Sequence, residues 1–410
     1  MSNYIVNSDS LTMVADAIRA KAGTSEPLVF PSGFVSAVEN ISGSGEDTLE
    51  IFLDRKLSVY CNDKRTEIPD GAFCCCDSLT SIDLPICNSV GESAFCCCTN
   101  LSYANLPVCT DIGIDAFSRC FSLASIDLSI CKKIGNGAFG SCNRLTSIDL
   151  PSCTSVGHSA FGNCLRLSSI NLPICTSVGN GAFSSCIRLT SIYLPSCTTV
   201  AANAFYSCVN LSYVNLPACT KIGVNAFYSC SSLTSIDLPS CTSVGSSVFY
   251  NCSELTSVNL PVCTNIGIGT FYGCYNLASI ELPFCNYVDN NAFYSCVNLS
   301  YVNLPVCTDV GSSAFYSCSS LTSIDLPSCT KIADSAFYNC SRLYSIYLGA
   351  STICTIGSIL VFRGTPYYHH SGSEIPYIYV PSSLITQYQT ESNWSYFASY
   401  FSAIEDAPAI

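Results

Sequence analysis

The chain has 410 residues, of which 49% are hydrophobic and only 11% charged, so there is ample apolar surface to bury and the intrinsically disordered class is excluded. The formal net charge is -13 with sixteen Lys and Arg in all, a balance that argues against a nucleic-acid partner, because phosphate binding needs clustered cations. Thirty-one residues are cysteine, a number that needs an explanation.

The chain opens "MSNYIVNSDSLTMVADAIRAKAG", with neither a basic n-region nor an apolar core, so the expectation is synthesis in a cytoplasm without a secretory signal. An export-dependent disulfide scaffold is then disfavoured. No stretch approaches the roughly 20 apolar residues that span a bilayer, so no membrane insertion is expected. Residues 1–41 read as two short amphipathic helices: Asp9 or Ser10 caps "LTMVADAIRAKAG", Gly23 stops it, and "PSGFVSAVENI" follows Phe30. Residues 42–50, with "SGSGEDT", read as a flexible linker. The leading segment is similar to the N-terminal segments of tail-associated and other structural proteins of phages infecting Gram-positive bacteria. That resemblance implies an attachment segment through which residues 1–41 join other virion or tail proteins.

Residues 51–78 read as an N-terminal cap and first partial repeat, and residues 79–348 as the repeat array itself. Leucine recurs every 22 residues from Leu57 to Leu343, and a stacked repeat is what keeps such register. The consensus is L-T-S-I-D-L-P-S-C-T-S-V-G-x-x-A-F-Y-x-C-x-x, with phenylalanine at its seventeenth place from Phe73 to Phe337. Its opening is close to the leucine-rich-repeat pattern, a short strand followed by a tight turn. Alternation sends Ile148 and Leu150 inward and Ser147 and Asp149 outward, and Pro151, lacking an N–H, ends the strand. The G-x-x-A-F-x-x-C half suits a helical turn or irregular arc. About thirteen coils at roughly 4.8 Å per rung give an array on the order of 60 Å long.

From Cys76 to Cys340 a cysteine falls every eleven residues, so each coil carries one after the strand (Cys153) and one after the phenylalanine (Cys164). Both sit where a small apolar side chain is wanted, which predicts a cysteine ladder of buried, reduced thiols. Coil-to-coil disulfides are disfavoured because equivalent Cβ atoms lie about 4.8 Å apart and parallel, whereas a bridge needs about 3.8 Å and convergence. Cys74, Cys75, Cys96 and Cys97 break the rule and are candidates for exposed, oxidisable thiols.

The unit A-F-x-x-C-x-x-L-x-x-I-x-L-P, as in "SAFYNCSRLYSI" (335–346), resembles the BspA-like leucine-rich repeats of bacterial surface and phage proteins, over residues 57–348. The resemblance implies a repeat solenoid with a parallel β-sheet on one face and irregular or helical arcs opposite, and a role in adhesion or recognition. It carries over no catalytic residues. Residues 349–410, with "PYIYVPSSLITQYQTESNWSYFASYFSAIED", read as a mixed C-terminal cap of strand then helix, Trp394 and other aromatics closing the last coil.

No G-x-S-x-G, P-loop, H-E-x-x-H or EF-hand pattern occurs, so no enzyme, cofactor or metal is expected. The histidines, His158 and the pair His369 and His370, lack companions at ligand spacing and read as polar loop residues. Candidate binding residues lie on two stripes. Along the strand face the fifth place of each unit reads Asp83, Asn105, Asp127, Asp149, Asn171, Tyr193, Asn215, Asp237, Asn259, Glu281, Asn303, Asp325, Tyr347. It is either a solvated ladder in which Asn relieves acid repulsion, or a polar groove in which Tyr103, Tyr213 and Tyr301, two residues earlier in their units, add stacking faces. The residue after the phenylalanine is Cys96, Ser118, Gly140, Gly162 and Ser184 in early coils, then Tyr206, Tyr228, Tyr250, Tyr272, Tyr294, Tyr316 and Tyr338. These tyrosines form either a packed outer rib or an adhesive stripe; the early coils stack Arg144, Arg166 and Arg188 instead. The segment "NAFYSCVNLSYVNLP" occurs identically at 203–217 and 291–305, four units apart, as block duplication would leave it.

The reading that results is a non-enzymatic recognition protein, set in a virion tail and binding a host cell-surface glycan or protein. The alternatives are a bacterial cell-surface adhesin and an intracellular protein-binding scaffold.

Overall fold

The computed structural model describes residues 59–62, 64–368 and 375–407. The expected helical pair, the linker and His369 and His370 lie outside them. One coil shows how the sequence becomes structure. Leu145 points inward, and Ser147–Asp149 forms the front strand with only Ile148 buried. Leu150 is buried, Pro151 begins the turn, and buried Cys153 leads into a back strand of two residues, Ser155–Val156. Ala160, Phe161 and Cys164 then bury as the chain returns.

The return half is not helical. Its amides alternate between two uses: Ser159, Phe161 and Asn163 donate to Asn180, Ala182 and Ser184 of the next coil at 2.8 Å, while Ala160, Gly162 and Cys164 donate three residues back within the coil. This zigzag satisfies the backbone without a helix or a long strand. It requires a left-handed residue at two places per coil, and Ser159 (φ 52°) and Asn163 (φ 60°) are those residues. Ser, Asn and Gly dominate both places because their small or locally bonding side chains tolerate that region.

Stacked, the back strands make one unbroken parallel sheet of 14, from Glu67–Ile68 to Thr355–Ile356. This second sheet stands where the pattern suggested only arcs. On the front, parallel strands form three consecutive sheets of four, six and six strands, interrupted after Ser125–Asp127 and after Ser257–Asn259. Thirteen phenylalanines from Phe73 to Phe337 stack through the interior, with centroids 5.1–5.7 Å apart and rings within 12° of parallel. Full burial of each ring is worth about 1.5–3 kcal/mol.

The array runs one coil further than the expected end at residue 348. Thr355–Ile356 continues the back sheet, and Phe362 extends the stack 5.9 Å beyond Phe337. Cap strand Tyr377–Val380 then pairs parallel with Ser345–Tyr347, and Phe401–Ala403 pairs with it in turn. The cap helix is a short one, Ile385–Thr390. Trp394 is fully buried and donates Nε1–H to the Cys354 carbonyl at 2.6 Å, while the Cys354 amide donates to the Tyr388 hydroxyl at 2.8 Å. Aromatic bulk and these two bonds close the last apolar layer, as a solenoid end requires.

Candidate recognition surface

Both cysteine rows are buried, and both use their thiols. In the row after the phenylalanine, every cysteine from Cys98 to Cys340 donates its S–H to the carbonyl of the phenylalanine one coil below, at 2.9–3.2 Å. In the row after the strand, Cys87 to Cys329 donate to the carbonyl two residues ahead, at 3.1–3.4 Å. Burial pushes Cys131 up to about 11 and Cys164 and Cys208 up to about 12, so these three thiols are protonated at neutral pH. None of the thirty-one cysteines is joined in a disulfide.

The irregular cysteines behave differently. Cys61 and Cys75 are exposed and Cys74, Cys96 and Cys97 half-buried, with the Cys74–Cys75 and Cys96–Cys97 sulfurs 3.6 Å apart in each pair. Desolvation and the neighbouring thiols push Cys75 up to about 11 and Cys96 to about 12. Among the described residues no group of three or more His, Cys, Asp or Glu is placed to hold a metal ion. His158 serves the stack: its Nδ1 accepts from the Asn180 amide at 2.8 Å, and its own amide donates to Asn136 Oδ1.

The fifth-place row is a hydrogen-bonded ladder. Asn105, Asn171 and Asn259 each donate their side-chain amide to the aspartate one coil below, Asp83, Asp149 and Asp237, at 2.7–2.8 Å, and Asn303 does the same to Glu281 at 2.7 Å. Like charges side by side are thereby replaced with charge-assisted bonds. Asp127 and Asp149 are the adjacent pair of acids in this row, and the front sheet is interrupted between them. Asp325 is exposed, but partial burial pushes its carboxyl up.

Four of the front tyrosines stand in solvent: Tyr103 is 45% exposed, Tyr193 52%, Tyr213 54% and Tyr301 45%. Tyr193 and Tyr213 are on neighbouring strands, with Ser191 opposite Tyr213 and Tyr193 opposite Asn215. Tyr347 departs from the expectation. It is 5% exposed because cap strand Tyr377–Val380 lies against it and Tyr379 stacks on its ring at 4.8 Å, so it belongs to the cap packing and not to the open face.

The seven tyrosines from Tyr206 to Tyr338 form a continuous half-buried rib, with rings 4.4–4.9 Å apart and nearly parallel. The Arg363 guanidinium lies 5.8 Å from the last ring, over Tyr338. Each inner ring spends both faces on its neighbours. What the rib offers outward is ring edges and hydroxyls, whereas the front tyrosines keep their faces free.

Residues 66–186, 154–267 and 242–366 match the BspA type leucine rich repeat region. The chain belongs to this family of repeat proteins, whose fold generally serves protein binding or surface adhesion. Among solved structures it is similar to a leucine-rich repeat protein from Bacteroides ovatus, at 28% identity and a TM-score of 0.66, covering 84% of this chain and 92% of that one. It is also similar to a leucine rich cell surface protein from Faecalibacterium prausnitzii (24% identity, TM-score 0.41, 71% and 87% covered). A third similar structure is a leucine-rich repeat protein from Eubacterium ventriosum (21%, 0.44, 78% and 95%). No curated protein matches the chain. Among the described residues no helix is long and apolar enough to cross a membrane.

Proposed function

We propose that this protein recognises a cell surface, with the front strand face of the solenoid as its contact area and residues 1–41 as the segment that fixes it to a larger assembly. The observation that carries this reading is the set of four tyrosines with open ring faces, Tyr103, Tyr193, Tyr213 and Tyr301, mounted on a rigid acid–amide ladder. Exposed aromatic side chains lose little conformational freedom on binding and offer large contact area, which is why they anchor recognition surfaces. A rod of repeated coils also places several weak contacts at fixed spacing, so modest affinities multiply.

The setting we propose is a phage or prophage tail, because the leading segment "SLTMVADAIRAKAG" resembles the N-terminal segments of tail-associated proteins; the ligand is then a host surface glycan or protein. The BspA-type repeats equally support a bacterial cell-surface adhesin. Deleting residues 1–48 separates the two. A tail-associated protein so truncated binds cells but no longer co-purifies with particles. If the truncated chain is retained on the surface of its own producing cell as the full chain is, the adhesin reading takes its place.

A further inference from the structure

The front face is not uniform between its tyrosines. Over the coils from Ser235 to Glu281 it carries a hollow of about 500 Å³, lined by Ser235, Ser257 and Ser279 in one row, Asp237, Asn259 and Glu281 in another, and Ile236, Val258 and Ile280 between them. It straddles the place where the front sheet is interrupted, between Ser257–Asn259 and Ser279–Glu281. The strand register sets an exposed tyrosine at each end. Asn215 lies opposite Asp237, which puts Tyr213 beside Ser235, and Ser279 lies opposite Tyr301. The two tyrosines belong to the identical segments 203–217 and 291–305, so duplication has placed the same aromatic platform at both ends.

We infer that this trough binds a linear, hydroxyl-rich glycan laid along the solenoid axis from Tyr213 to Tyr301, an inference that rests on the front face being the recognition surface. The chemistry matches at each point. Sugar rings present C–H faces that pack on aromatic rings and hydroxyls at their rims. Serine hydroxyls both donate and accept, and carboxylates accept strongly from hydroxyls. Asn259 and Asn303 are locked onto Asp237 and Glu281, which orients those carboxylates. Asn215, in contrast, has a buried Oδ1 with no hydrogen-bond partner.

Ile236, Val258 and Ile280, at the strand centres between the two polar rows, are only 2–7% exposed, so no deep pocket for an apolar peptide side chain opens in the hollow. Its carboxylates repel phosphate. Four rungs at about 4.8 Å separate the platforms by about 19 Å, so the ligand is a chain of sugars and not a single one.

The test titrates the full chain with soluble cello-, chito- and manno-oligosaccharides from one to six sugars, by calorimetry and saturation-transfer NMR. At least one series binds, its affinity rises with length until both tyrosines are bridged, and Tyr213→Ala and Tyr301→Ala each weaken it tenfold or more. Tyr287→Ala, on the back strand Tyr287–Val288 and 38% exposed, leaves it unchanged, and all three variants keep the parent melting curve. Length-independent binding, or equal losses for Tyr287→Ala and Tyr213→Ala, overturns the trough. If no oligosaccharide binds but the full chain still binds cells through its front tyrosines, the glycan is overturned in favour of a protein partner and the recognition face stands. If neither occurs, both readings fall.

Discussion

The thiol of Cys252 lies 3.2 Å from the carbonyl oxygen of Phe227, twenty-five residues earlier in the chain. That carbonyl also accepts the amide of Cys230 at 3.1 Å, so one oxygen ties its own coil's turn to the coil above. Cysteine fits the place because it is small and apolar yet still a donor. Cys252→Ala therefore costs about 1–2 kcal/mol, combining one weak bond with the lost sulfur. Cys252→Ser, which keeps a donor, costs less than the larger and non-donating Cys252→Val. Denaturant melts of the three variants check the order.

The thiol rows also make stability pH-dependent. A thiol in the unfolded chain ionises near pH 8.5, whereas in the fold Cys131 is held at about 11 and Cys164 at about 12. Raised folded values mean that the full stability is present below about pH 8.5 and is lost as pH climbs through the folded values. The slope is about 1.4 kcal/mol per pH unit for each thiol that ionises only on unfolding. Melts from pH 7 to 11 in reductant show a steep alkaline decline that a Cys164→Ala, Cys208→Ala variant reduces.

Phe227 and Tyr228 are neighbours in sequence with opposite fates. Phe227 is fully buried in the interior stack and Tyr228 half-buried in the outer rib. Phe227→Ala costs about 3–5 kcal/mol, Tyr228→Ala about 0.5–1.5 kcal/mol from lost ring stacking. Hydrogen exchange localises the first loss to the coils around residue 227, because solenoid stability is nearly a sum over neighbours.

Alkylation of the native chain at pH 8 marks Cys61, Cys74 and Cys97 early and leaves the buried rows unlabelled. Cys75 and Cys96 lag behind their exposure, because their thiols are pushed up to about 11 and about 12 and little thiolate is present. Mass spectrometry of a labelling time course gives the order.

Period alone makes the inward faces legible. Leu145, Ile148, Phe161 and Cys164 recur at fixed spacing and are all buried. The second sheet is not legible, because Ser155–Val156 is two residues long and shows no alternation. The purpose of Asn163 is hidden too, since a left-handed residue leaves a preference for Ser, Asn and Gly but no hydrophobic pattern. The final coil escapes because extra residues before Thr355–Ile356 and Phe362 break the 22-residue step. Tyr347 is misplaced by periodicity for a related reason: a repeat rule treats it as outward, while the cap that covers it is not a repeat. Of the binding candidates, the front tyrosines and the rib are both visible in the sequence. Which ring faces remain open follows only from the stacking of Tyr206 through Tyr338.

Recognition through the front face is tested most directly by binding of the labelled full chain to intact Gram-positive and Gram-negative cells. One variant carries Tyr193→Ser, Tyr213→Ser and Tyr301→Ser on the front, and another carries Tyr250→Ser and Tyr294→Ser on the rib. The front variant loses binding by tenfold or more, about 1.4 kcal/mol or above, while the rib variant binds as the parent does. Retained binding in the front variant with loss in the rib variant would contradict the assignment and move the contact surface to the other side of the coil.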